Sequence, residues 1–99
     1  MIIVHGVFEV DPGERDAFLA SRVGGMRSSR AEAGCLEYAF CADPLEPGRV
    51  VLVERWESEE ALDAHLAAQR DAPAPEGPRV RPLSASIVRY TVSGESRLL

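Results

Sequence analysis

Glu54, Trp56 and His65 lie within twelve positions of one another and are the residues of this chain best suited to chemistry. A carboxylate accepts protons and hydrogen bonds, and an imidazole titrates near neutral pH, at about 6.5. An indole adds one N–H donor to a flat apolar body. Successive side chains of a strand point to opposite sides, so Leu52, Glu54 and Trp56 share one face if Arg49 to Trp56 is extended. In a following helix, Leu62, His65, Leu66 and Gln69 keep the i, i+3, i+4, i+7 spacing of a core-facing stripe. Packed together, the two faces bring a carboxylate, an indole and an imidazole to a place where a small core ordinarily holds aliphatics. The chemistry this allows is proton transfer in a largely apolar pocket. Each residue also has a plain structural role open to it: His65 as a satisfied core histidine, Glu54 as a buried hydrogen-bond acceptor, and Trp56 and Tyr38 as packing. His5 fits a subunit interface.

The elements that must position these groups are legible along the chain. Ile2 to Val10 alternates as a strand, with Ile2, Val4, Phe8 and Val10 on one side and Ile3, His5, Val7 and Glu9 on the other. Asp11 suits an N-cap, Pro12 the first helical position, and Glu14 a box-like cap pattern. The helix they open carries Phe18, Leu19, Val23 and Met26 and is expected to stop near Gly34. Gly24-Gly25 in its middle costs about 2 kcal/mol relative to alanines, which predicts a kink or a close approach of a neighbour. Cys35 to Cys41 is a second strand, with Leu36, Tyr38 and Phe40 expected on one face. A turn at 43–48 leads to the third strand, Arg49 to Trp56. Ser58 caps a second helix, favoured by Glu57, Glu59 and Glu60 at its positive end, which runs to about Arg70. Residues 71–82 hold four of the seven prolines and read as an irregular loop. Leu83 to Val92 is a fourth strand.

This β-α-β-β-α-β order predicts an α+β, ferredoxin-like fold: a four-stranded antiparallel sheet with both helices on one face. Residues 1–92 form the expected domain and 93–99 a tail. The first and third strands are apolar on both sides, whereas a sheet with one solvated face alternates more cleanly. Two helices cover one face, so the other is expected to meet a second copy, giving a homodimer.

Composition narrows the functional classes. The chain has 99 residues, 45% of them hydrophobic and 27% charged, with a net charge of −5. An acidic domain without a basic patch is poorly suited to nucleic acid. No stretch approaches the roughly 18 apolar residues of a membrane span, and the start lacks the pattern of a signal peptide, so the expected location is cytoplasmic. The absence of lysine removes Schiff-base chemistry. Two histidines without metal-ligand spacing make no defined metal site. Cys35 and Cys41, about 20 Å apart along one strand, are too distant for a disulfide and are expected as free buried thiols.

Gly34-Cys35-Leu36-Glu37-Tyr38, Glu54-Arg55-Trp56-Glu57-Ser58 and Ala61-Leu62-Asp63-Ala64-His65-Leu66 together resemble the antibiotic biosynthesis monooxygenase family, and its quinol-monooxygenase-like members most closely. The resemblance covers roughly residues 1–70. It implies a dimeric α+β barrel and an oxygenase working without metal or flavin on a small aromatic substrate and dioxygen. In that reading His65 and Glu54 are the catalytic pair, with His65 as base and Glu54 orienting it or holding a substrate hydroxyl. Trp56, Leu52, Leu62 and Tyr38 line the substrate site. Anthrone-oxygenating members carry Asn and Tyr where Leu52 and Leu62 stand here, and haem-degrading members an Asn on the first strand that this chain lacks, so both substrates are disfavoured. The expectation is a cofactor-independent monooxygenase acting on a quinol-like or polycyclic aromatic compound. Its competitors are a non-catalytic small-molecule-binding or accessory protein, and an isomerase on the same scaffold.

Overall fold

A computed structural model describes residues 1–74 and 79–99. Strand β1 (Ile2–Glu9) is followed by a 3-10 turn (Pro12–Glu14) and helix α1 (Arg15–Arg30). Strands β2 (Cys35–Ala42) and β3 (Arg49–Trp56), helix α2 (Glu59–Asp71) and strand β4 (Ser84–Thr91) complete the chain. The strands form one antiparallel sheet in the order β2-β3-β1-β4. This is the ferredoxin-like α+β arrangement expected from the alternation of strand and helix periods. Residues 72–74 and 79–83 are irregular; the rest of the expected proline-rich loop, 75–78, lies outside the described residues.

The register stacks the side chains of the inner sheet face into rows. Val4 pairs with Arg89 on one side and Glu54 on the other, and Glu54 pairs in turn with Tyr38. The next row runs Ile87, Gly6, Leu52, Phe40. The core on this face includes Ile2, Val4, Phe8, Phe18, Trp56 and Leu62. Helix α1 packs on β2 and α2 on β3, while β4 touches chiefly β1 and is exposed along its whole length. The helical layer is thus narrower than the sheet, and its inner side stands open next to Ile87 and Arg89.

Several local expectations are corrected. Asp11 caps only the 3-10 turn, through Gly13 N at 2.8 Å, and α1 begins at Arg15 with Glu14 making no side-chain cap bond. Helix α1 ends at Arg30, earlier than Gly34, because two turn-like bonds, Ala31 N to Ser28 O and Glu32 N to Ser29 O, close it. Gly24 and Gly25 do not serve a close approach of a neighbour: a Cβ on either would meet nothing within 4 Å, and α1 runs unbroken through them. Leu36 does not share a face with Tyr38 and Phe40, since the β2–β3 register breaks between Cys35 and Glu37, leaving Leu36 45% exposed. Both cysteines are free, but Cys41 is exposed and Cys35 only half-buried.

Long-range polar contacts lock this frame. Arg15 Nη1 donates to the carbonyls of Asp43 and Glu46, each at 2.8 Å, holding the β2–β3 turn against α1. Arg30 Nε donates to Tyr38 O at 2.8 Å. Gly34, at φ 82°, makes a turn that accepts Glu57 N at 2.9 Å, tying the start of β2 to the joint between β3 and α2.

Candidate functional site

A cavity of about 390 Å³ opens between the inner sheet face and the two helices, within the size range of small-molecule sites. Leu52, Glu54 and Tyr38 border it from the sheet, and Leu62, Leu66 and Gln69 from α2. The expected meeting of the third strand with the stripe of the second helix therefore occurs, and it borders a hollow. Trp56 and His65 do not line that hollow. Both are buried, at 0% and 2% exposure, with ring centroids 4.7 Å apart, in a layer behind Glu54. The position expected for Trp56 as a substrate wall is thus taken by aliphatics and Tyr38.

Glu54 connects the cavity to that inner layer. Trp56 Nε1 donates to its Oε1 at 2.9 Å, and His65 Nε2 stands 4.0 Å from the same oxygen. On the opposite side of the ring, His65 Nδ1 lies 3.0 and 3.1 Å from the two Glu32 carboxylate oxygens. A carboxylate only accepts, so Nδ1 is the donor of this contact, and Nε2 is the ring nitrogen on the Glu54 side. Glu54 is 5% exposed, whereas the Glu32 side chain is 31% exposed. Cavity, Glu54, His65, Glu32 and solvent thus follow one another in that order, hydrogen-bonded between His65 and Glu32 and 4.0 Å apart between Glu54 and His65.

Desolvation pushes the Glu54 carboxyl above its usual 4.5, with Glu32 adding to the rise, against the Trp56 hydrogen bond and the His65 ring, which lower it. A raised carboxyl facing an apolar cavity is a better base toward a weak acid than an exposed one. Burial first, and the Glu54 charge second, push the Tyr38 hydroxyl up to about 12. Tyr38 therefore stays protonated at neutral pH and can donate to an oxygen in the cavity.

Four contributors have no local signature in the sequence. Glu32 lies 33 positions from His65, in a turn, where a lone acidic residue reads as solvated. Ile87 and Arg89 reach the cavity only through the pairing of β4 with β1. Arg22 resembles any exposed helix charge, yet its guanidinium lies 4.7 Å over the Phe18 ring and 5.6 Å from that of Phe40. Arg22 Nε is buried without a hydrogen-bond partner among the described residues, a cost of about 1–3 kcal/mol for such a donor. The described residues also hold no cluster of metal-ligating side chains and no helix long and apolar enough to cross a membrane.

Residues 1–70 match the family model of the antibiotic biosynthesis monooxygenases. Over 65 residues, 66% of this chain, the sequence is 34% identical to the uncharacterized protein sll1783 of Synechocystis and covers 44% of it, so the chain spans less than half of that relative. Over 65 residues it is 31% identical to the Bacillus subtilis protein named "Putative monooxygenase YcnE", covering 66% of this chain and 68% of that one. A crystal structure from Deinococcus radiodurans, named as a "putative antibiotic biosynthesis monooxygenase", superposes with a TM-score of 0.80 at 20% identity, covering 100% of this chain and 99% of that one. At that identity the likeness is one of fold.

Proposed function

The chain belongs to the antibiotic biosynthesis monooxygenase family, and on that premise we propose that it is a monooxygenase that oxidises a quinol-like or polycyclic aromatic phenol with dioxygen, needing neither metal nor flavin. The observation that carries this reading is a desolvated carboxylate, Glu54, facing a cavity of about 390 Å³ and backed by a histidine. Glu54 takes the hydroxyl proton of the bound phenol and His65 Nε2 receives it in turn, the imidazolium being held by Glu32. This assigns to Glu54 the role of base that the sequence alone suggested for His65.

The resulting phenolate is electron-rich enough to pass one electron to dioxygen. Superoxide and the substrate radical then combine at ring carbon. The peroxide loses water, its distal oxygen taking up the proton stored on the Glu54–His65 pair together with the hydrogen carried by that carbon. A quinol and one dioxygen thus yield a hydroxyquinone and one water. The Tyr38 hydroxyl stabilises the developing anion as a donor, and Leu52, Leu62 and Leu66 keep bulk water from the reactive intermediates.

The same reading includes a homodimer, joined through the sheet face that the helices leave uncovered. The test is oxygen uptake by the purified protein with a panel of hydroquinones and anthrones in chelator-treated buffer. Uptake above blank, reduced about a hundredfold in Glu54→Gln, supports the reading. Ligand binding without uptake identifies a non-catalytic binding protein, and substrate turnover with unchanged dioxygen an isomerase.

A further inference from the structure

The cavity has two chemically distinct ends. Glu54 and the His65–Trp56 layer mark one of them. The other is marked by Arg22, whose guanidinium carbon lies 4.7 Å from the Phe18 ring centroid and 5.6 Å from that of Phe40. Tyr38 lies between: its ring is 5.5 Å from His65 and 6.0 Å from Phe40. Arg22 is charged at every physiological pH and can only donate hydrogen bonds. Among the described residues no carboxylate pairs with it, and its buried Nε has no acceptor. By contrast, Arg89, which also borders the cavity, sits 3.4 Å from Asp63.

From this we infer that the ligand of the cavity is a hydroxylated aromatic acid: a flat ring whose carboxylate is bound by Arg22 and whose hydroxyl faces Glu54. A guanidinium held beside two aromatic rings keeps its charge within reach of the cavity, and a carboxylate is the planar acceptor that matches its N–H groups with two parallel bonds. Glu54 repels an anion at its own end and accepts from a hydroxyl, so the two ends fix the orientation of the ring. Phe8, Phe40 and Leu52 contact its apolar body.

The inference rests on the oxygenase reading for its hydroxyl but not for its carboxylate, and the experiment separates the two. Binding of 6-hydroxy-2-naphthoic acid, whose hydroxyl and carboxylate lie at opposite ends of the ring system, and of 2-naphthol is followed by the fluorescence of Trp56, the single tryptophan, which donates to Glu54 on the cavity wall. The acid is expected to bind about tenfold or more tightly than the naphthol, and Arg22→Gln to abolish that preference while Arg22→Lys keeps part of it. Equal binding of the pair by the wild type, a preference unchanged in Arg22→Gln, or no binding of either probe overturns the inference. That Arg22→Gln is folded is verified by its circular dichroism and a cooperative thermal transition. In a second arm, oxygen uptake is compared with 1,4-dihydroxynaphthalene and its 2-carboxylate. Acid preference in binding with no uptake of oxygen leaves the inference standing and the oxygenase reading refuted. Equal kcat/KM for the two quinols, unaffected by Arg22→Gln, does the reverse.

Discussion

Glu54 is held between a neighbourhood that resists its charge and two groups that favour it. Its folded-state value lies above 4.5, so the folded protein binds this proton more tightly than the unfolded chain. Stability contributed by Glu54 is therefore greatest below 4.5, falls as pH rises through the raised value, and stays at the lower level above it. Replacing Glu54 with Gln keeps an acceptor for the Trp56 N–H and removes the buried charge. Thermal unfolding at pH 7–8 should show a gain of about 0.5–2 kcal/mol, the usual scale on which active-site charges trade stability for function. The same variant should lose its oxygen uptake, and in the wild type kcat/KM should rise with pH through the Glu54 value to a plateau. A flat profile across that range would remove Glu54 from the mechanism. In the proposed mechanism His65 stands one step further from the substrate, so His65→Ala should cost about tenfold in rate, with little change in KM. A large KM change would mean that the ring supports the cavity wall instead of receiving a proton.

The glycines of α1 and of the turn after it differ in what a side chain there would meet. Gly24 and Gly25 are exposed inside a continuous helix, with open space where each Cβ would go. Gly24→Ala and Gly25→Ala should each stabilise the protein by about 0.8–1 kcal/mol, read as a rise of roughly 4–8 °C in Tm for each kcal/mol. Gly34 is the opposite case. Its φ of 82° disfavours any side chain, and a Cβ there would come 2.5 Å from the Ala61 Cβ at the start of α2. Gly34→Ala should therefore destabilise by about 1–3 kcal/mol, and denaturant unfolding would show it. This contrast marks what the sequence discloses. Strand and helix periods are local, so all four strands, both helices and the Leu62–His65 stripe were readable from spacing. The N-cap at Ser58 was readable too, and its hydroxyl accepts Ala61 N at 3.1 Å. What escaped depends on how far elements stand apart or where a register breaks. The extra residue at Leu36 leaves no pattern, Glu32 reaches His65 only because two turns meet, and the hollow exists because α1 and α2 cover less than the sheet's width. Trp56 kept its expected face but sits in the row below the cavity, a distinction that alternation cannot make.

The whole molecule presents a second apolar surface, on the side of the sheet away from the helices. Ile3, Val7, Val51 and Val53 lie there half-buried only by their neighbours in the sheet, and β4 adds Val88 and Tyr90 at 42% and 53% exposure. The pairings His5 with Val53 and with Val88, and Val7 with Val51, make these side chains contiguous across three strands. Patches of this kind on a small domain ordinarily belong to an interface, and a chain of 99 residues has limited core of its own. A second copy suits this surface because two-fold contact matches a patch to itself, with the aliphatics at the centre and Arg55 and Glu37, paired at 3.3 Å, at one margin. Light scattering should then give a mass twice the 10.8 kDa of the chain, and Tm should rise with protein concentration. Val53→Arg places a charge at the middle of the patch without touching the cavity side. It should yield a monomer with a Tm no longer dependent on concentration. If oxygen uptake survives in that monomer, the site is complete within one chain, as expected of a cavity whose lining comes from the opposite face of the sheet. A wild-type protein that scatters as a 10.8 kDa particle at all concentrations would exclude the dimer.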